Sequence, residues 1–251
     1  MCYGEDARPP VPPGTTAKAV GVDVELTAGD GNRLTAYLAR PEGSTGPRVV
    51  VLPDAHGLNA FYREMANRFA EAGMTSLAID FYGRTAGSGP RDAAFDIEPH
   101  LEELRRENMI RDVRAAVAYL EADGAGPVFV AGFCMGGGTA LLAGTTDMGL
   151  AGVIGFYAWT GELGRDEALP DDFVAGIRCP VLGLFGGADQ VISEAVPRSF
   201  TDHLQRAGVP HEIVIYPSQP HGFFELRDMG VDGREDAAAD AWRRLLDFVR
   251  A

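Results

Sequence analysis

The 251-residue chain carries 22 lysines and arginines against 36 aspartates and glutamates, a formal charge of −14 that repels phosphate backbones and anionic lipid heads. Its hydrophobic fraction of 46% suits a globular protein with a buried core, and no run reaches the roughly 18 apolar residues of a membrane-spanning helix. Neither nucleic acid nor membrane is an expected partner; a small molecule is, with the chain a monomer or weak homo-oligomer.

The start, MCYGEDARPPVPPG, lacks the apolar core of an export signal, and its prolines make residues 1–18 read as an extended, flexible arm before a single domain at 19–251. Residues 22–26 and 33–39 flank TAGDGN, a hairpin signal. RVVVLP at 48–53 reads as a fully buried strand, and a helix follows over 59–72, with Phe61, Met65 and Phe69 at four-residue spacing. TSLAID at 75–80 is the next strand, and the Gly-, Pro-, Asp- and Arg-rich residues 84–100 read as a long loop, with 86–100 either a lid or an ordinary mobile loop. An amphipathic helix spans 108–122 with Ile110, Val113, Val117 and Leu120 on one face. Strands follow at 128–133, 151–157, 181–185 and 211–216, with an irregular stretch up to 178 and helices at 197–207 and 237–249. About eight strands joined mostly by helical crossovers predict an α/β fold whose mostly parallel sheet has helices on both faces.

Three cysteines, Cys2, Cys134 and Cys179, form no disulfide framework and no C-x-x-C pair, and HEIVI at 211–215 lacks the second histidine of a zinc helix. No metal site is expected. Unpaired thiols fit a reducing cytoplasm. Cys134 stands at the apex of VFVAGFCMGGG, where a strand runs into a helix. A dinucleotide fingerprint would need glycine there. A buried small residue would account for the cysteine alone, but Gly132-x-Cys134-x-Gly136 has the spacing of a nucleophile elbow, in which small neighbours let strand and helix pass closely. The helix beginning at Met135 turns its positive end toward the sulfur. An acid and a histidine follow in the order such enzymes use: Asp189 after the 181–185 strand, His221 in PSQPHGFF after the 211–216 strand. Each alone reads as a loop residue; with the elbow they read as a catalytic unit.

GFCMGG, FGGADQVI and PHGFF, with RVVVLPDAHGLN and LAIDFYGR, resemble the dienelactone hydrolase family of α/β-hydrolases over about residues 20–250. The resemblance implies the α/β-hydrolase fold and cofactor-free hydrolysis of small esters or lactones through a thioester. It also implies a triad of Cys134, His221 and Asp189, and an oxyanion hole made by the backbone N–H groups of Met135 and Ala55. Two positions depart from the family. Asp54 stands where a glutamate is common, and Glu225 stands where an arginine holds the substrate carboxylate, so neutral substrates are expected over dienelactone itself.

Tyr82, Phe133, Tyr157, Trp159, Phe223 and Phe224 follow strand ends or flank the catalytic loops; each is core or, together, an apolar acyl or aryl pocket. Arg84 either meets a substrate anion or pairs with Asp80. Asp54 either faces the Cys134 thiol or bonds its own turn, and His56 reads as a positioning or structural residue, with an alternative base as the competing reading. Two other functions compete: acyl transfer on the same triad, and non-catalytic ligand binding with Cys134 kept for packing.

Overall fold

A hairpin opens the sheet, as TAGDGN predicts. In the computed structural model, which describes residues 7–15, 18–43, 46–92, 94–159, 171–225 and 232–251, β1 (Ala19–Thr27) pairs antiparallel with β2 (Arg33–Pro41). Asp30 Oδ1 accepts the N–H of Asn32 in the turn, and Gly31 takes the left-handed φ of 86° that closes it. There follow β3 (Arg48–Leu52), α1 (Ala60–Glu71), β4 (Thr75–Ile79), the one-turn α2 (Gly83–Ala86) and α3 (Glu98–Leu101), α4 (Arg106–Asp123), β5 (Val128–Phe133) and α5 (Met135–Ala143). The chain ends with β6 (Gly152–Phe156), α6 (Asp171–Ala175), β7 (Val181–Gly186), α7 (Ala195–Ala207), β8 (His211–Tyr216) and α8 (Arg234–Arg250). Residues 84–100 are thus not one long loop, since they hold two helical turns.

The eight strands lie in the order β1-β2-β4-β3-β5-β6-β7-β8, antiparallel across β1, β2 and β4 and parallel elsewhere. From β3 the chain steps to β4 on one side and later to β5 on the other. That reversal opens a crevice at the carboxyl ends of β3 and β5, the usual place for a ligand site in such sheets. Alternate strand residues feed two cores. Val49, Val51, Phe129, Ala131, Leu182 and Leu184 pack toward α1 and α8; Val50, Leu52, Val128, Val130 and Val181 pack toward α4, α5 and α7. Every residue of β3, β5, β6 and β7 is buried, which is why these strands read as unbroken apolar runs rather than alternating ones.

The described part of the expected arm is not loose. Ala7, Pro9, Pro10 and Pro12 are buried, and the indole N–H of Trp242, on the inner face of α8, donates to the Pro10 carbonyl at 3.0 Å. A buried indole needs an acceptor, and a proline strand offers carbonyls without competing N–H groups. Residues 1–6 and 16–17 of that arm lie outside the described residues.

Arg48, at the start of β3, is 6% exposed, and its guanidinium donates to the carbonyls of Leu120, Gly124 and Gly126 where α4 ends. These acceptors would otherwise be orphaned at a helix terminus beside the sheet. Arg48→Met should therefore lower stability by about 1.5–3 kcal/mol in urea unfolding. An unchanged midpoint would show that the carbonyls find water instead.

Candidate active site

The crevice is built on a turn that few sequences allow. Cys134 has φ 53° and ψ −113°, and with Tyr157 (φ 35°) it is one of two non-glycine residues with positive φ among those described. Such a conformation costs on the order of 1–3 kcal/mol and persists only where its surroundings fix it. Here the Cys134 N–H donates to Phe156 O at 3.0 Å, and its carbonyl accepts from Gly138 at 3.1 Å and Trp159 at 3.0 Å. The glycines around it are steric necessities. A Cβ on Gly132 would lie 2.0 Å from Gly136 O, one on Gly136 2.3 Å from Pro53 O, and one on Gly138 1.9 Å from Trp159 O. Strand β5, helix α5 and the loops after β3 and β6 therefore meet at backbone contact.

The loops after β7 and β8 meet in the same way, since a Cβ on Gly186 would lie 2.3 Å from Gln219 O. They bring Asp189 and His221 together, Nδ1 to Oδ2 at 2.8 Å, with side chains 7% (His221) and 1% (Asp189) exposed. The other carboxylate oxygen, Asp189 Oδ1, accepts the N–H groups of Val191 and Ile192 at 2.7 and 2.9 Å. Asp189 thus caps its own turn and orients the imidazole at once. A carboxylate on Nδ1 selects the tautomer that carries its proton there and leaves Nε2 as the basic nitrogen. The Tyr157 ring stands edge-on to the His221 ring at 4.8 Å, and Gly222 turns the histidine loop with φ 69°.

Asp54 is fully buried after β3. Its Oδ1 accepts the His56 N–H at 2.8 Å, and both its oxygens lie 3.2 Å from His56 Nδ1, bonds that a turn acid makes. Gly57 N–H closes the turn on Asp54 O at 3.2 Å. Among the described residues the Ala55 N–H meets no acceptor, whereas its carbonyl accepts the Tyr82 hydroxyl at 2.6 Å. Met135 opens α5, so its N–H has no acceptor within the helix.

Several residues expected at the substrate have partners within the fold. Arg84 neither faces the crevice as a free cation nor pairs with Asp80; its guanidinium bonds Asp30 and Asp112, each at 2.7 Å, tying the hairpin to α4. Asp80 takes Arg91 instead. Tyr82 is fully buried, holding Ala55 rather than lining a pocket. Phe133 and Phe223 are fully buried too: Phe133 stacks on Phe156 at 4.6 Å, which meets Phe224 at 4.4 Å, and Phe223 packs on Tyr216 at 4.9 Å. These rings are the floor under the site. Trp159, only partly buried, remains at its surface. Glu225 is fully buried beneath the histidine turn, accepting the Tyr157 hydroxyl at 3.2 Å, because the Gly222 carbonyl takes the Glu225 N–H and folds the segment inward. Tyr157, read as core or pocket from its place after a buried strand, joins His221 to Glu225, and the Asp80–Arg91 pair is a support the sequence reading missed.

Burial pushes the Cys179 thiol up to about 11, which keeps it a poor nucleophile. Among the described residues no His, Cys, Asp or Glu side chains are grouped to hold a metal ion, and no helix is long and apolar enough to cross a membrane.

The sequence profile of the dienelactone hydrolase family matches residues 34–251. A Bradyrhizobium protein named "Probable 2-oxo-3-(5-oxofuran-2-ylidene)propanoate lactonase" is 34% identical over 88% of this chain and 90% of its own length. The "Putative carboxymethylenebutenolidase" of Methylorubrum extorquens is 32% identical over 91% of this chain and 80% of its own. In fold, the chain resembles a crystal structure titled "Putative Dienelactone Hydrolase" from Klebsiella pneumoniae, with TM-score 0.77 over 92% of this chain and 99% of that one, at 24% identity.

The turn geometry yields a stability contrast. Gly132→Ala should cost more than about 3 kcal/mol or prevent folding, since backbone, not a flexible side chain, occupies the space its methyl needs. Gly29→Ala, with nothing within 4 Å of the new methyl, should stay within about 0.5 kcal/mol of the parent. Equal unfolding midpoints for the two would refute the close approach at the elbow.

Proposed function

The chain belongs to the dienelactone hydrolase family, and we propose that it hydrolyses small esters or lactones through a thioester on Cys134, with His221 as base and Asp189 as its orienting acid. The observation that carries this reading is the buried 2.8 Å bond between His221 Nδ1 and Asp189, at the same end of the sheet as the strained Cys134.

In the proposed reaction His221 Nε2 takes the Cys134 thiol proton and the sulfur attacks the substrate carbonyl carbon. The carbonyl π electrons move to oxygen, and the N–H groups of Met135 and Ala55 stabilise that oxyanion. The imidazolium, steadied by Asp189, returns its proton to the leaving alkoxide as the C–O bond breaks. Water, deprotonated by His221, then attacks the thioester, and the thiolate departs with the proton His221 gained. In a lactone the leaving alkoxide stays joined to the acyl chain, so one product forms.

The expected substrate charge rests on two positions. Glu225 replaces the arginine that the family uses for a carboxylated lactone, and Arg84 is held by Asp30 and Asp112. Uncharged aryl esters and unsaturated lactones are the substrate class this favours, and they should exceed carboxylated lactones in kcat/KM. A preference for the carboxylated compounds would refute the charge argument. The reaction itself is tested by screening such esters and lactones with wild type and Cys134→Ala, whose turnover should fall below about a tenth of wild type while thermal unfolding stays nearly unchanged. Retained turnover would rule out covalent catalysis by Cys134. Ester products appearing on addition of an alcohol would reassign the activity to acyl transfer.

A further inference from the structure

The loop that carries Ala55 is held from outside by a clasp that the proposed reaction does not itself require. Two peptide planes flank Ala55. The first, carrying its N–H, is pinned because Asp54 O accepts from Gly57 N–H at 3.2 Å. The second is pinned on both sides: Asp54 Oδ1 takes the His56 N–H at 2.8 Å, and the Tyr82 hydroxyl donates to the Ala55 carbonyl at 2.6 Å. Of these three bonds, the one from Tyr82 comes from another part of the fold. The far end of the loop is anchored as well, with Leu58 N–H on Asp80 Oδ1 at 3.2 Å.

Asp80 and Tyr82 leave the end of β4 together, and both are buried. A bare carboxylate would be costly there; burial pushes the Asp80 carboxyl up, and Arg91 opposes that shift. The guanidinium of Arg91 meets Asp80 Oδ2 through Nε at 3.0 Å and Nη2 at 2.8 Å, and it also bonds the carbonyls of Gly89 at 2.8 Å and Gly87 at 2.5 Å. Its Cζ lies 4.6 Å over the Phe95 ring, which in turn packs against Tyr82 at 5.4 Å. Gly57, with φ 69°, leaves room for this: a Cβ there would sit 2.7 Å from Asp80 Oδ1 and 2.9 Å from the Tyr82 ring. The arrangement couples Gly87, Gly89, Arg91 and Phe95 to the Ala55 peptide through buried, hydrogen-bonded polar groups.

We propose that Tyr82, steadied by the Asp80–Arg91 pair, is a positioning residue that fixes the Ala55 N–H as oxyanion donor, so that Gly87, Gly89, Arg91 and Phe95 act as a brace for catalysis and not as a lid. The inference rests on the oxyanion role proposed for Ala55. A donor held this way needs no reorganisation as charge develops, which is where such groups gain their effect.

Tyr82→Phe removes the hydroxyl and keeps the ring. Three readouts separate positioning from structure: kcat and KM on an aryl ester that wild type turns over, the alkylation rate of Cys134 with iodoacetamide, and inhibition by 2,2,2-trifluoroacetophenone. Alkylation displaces iodide and forms no oxyanion. The ketone is attacked at its carbonyl carbon by the thiolate, and the adduct carries the oxyanion. The variant should lose about tenfold or more in kcat with KM within about threefold, and its affinity for the ketone should fall in step, while alkylation stays within about twofold of wild type. If thermal unfolding shows that Tyr82→Phe does not fold, Arg91→Lys, which keeps a cation on Asp80, should give the same pattern. A kcat within about twofold of wild type, or equal losses in turnover and alkylation, overturns the proposal. Failure of the underlying reading looks different: wild-type turnover that survives Cys134→Ala removes the site, and this brace with it.

Discussion

Strand β5 turns into α5 within one residue because Gly132, Gly136, Gly137 and Gly138 leave no side chain where the backbones of β3, β5, α5 and the loop after β6 pass one another. The one side chain left at the apex, Cys134, has no rotational freedom in its backbone: three hydrogen bonds hold it at φ 53°. That constraint fixes the rest of the site. The Leu52 and Pro53 carbonyls must pack on Gly136, which sets the loop carrying Asp54 and Ala55 beside the first turn of α5. The Cys134 carbonyl must receive Trp159, which sets the path of the chain after β6.

A second strained residue extends the same logic across the sheet. Tyr157 follows β6 with φ 35°, its N–H on Leu184 O at 2.7 Å, its ring against His221 and its hydroxyl on buried Glu225. The histidine loop is therefore braced by the strand next to the nucleophile strand, while Asp189 reaches it from the loop beyond. Backbone strain at two neighbouring strand ends is stabilised by the packed aromatic floor of Phe133, Phe156 and Phe224 beneath them. An acidic, well-buried chain can hold such strain because its parallel strands bury both faces.

Much of this was legible in the sequence, for local reasons. Apolar runs, hairpin glycines and four-residue periodicity are written within one element, and the elbow spacing and the chain order of cysteine, acid and histidine survive in one dimension. What was not legible depends on partners brought together by folding. Arg84 lies four residues from Asp80 in the chain, yet it goes to Asp30 and Asp112, whereas Arg91 reaches back 11 residues to Asp80 from a segment with no periodicity. Glu225 was expected to meet the substrate, but the turn at Gly222 folds it inward. Tyr82, Phe133 and Phe223 read equally well as pocket or core, because an aromatic after a strand end is consistent with both; burial decided for core. The proline-rich start read as loose because its anchor, the indole N–H of Trp242, lies 232 residues away.

The central claim is that an acyl group passes through Cys134. An ester with a good leaving group and a slowly hydrolysed acyl chain, mixed with enzyme and quenched in acid within the first turnovers, tests it most directly by mass spectrometry of the digested protein. The account predicts one acyl group per chain, on the peptide holding Cys134, formed as fast as the first equivalent of alcohol is released and lost at the steady-state rate. Alcohol release without that adduct, or an adduct on another residue, would contradict it.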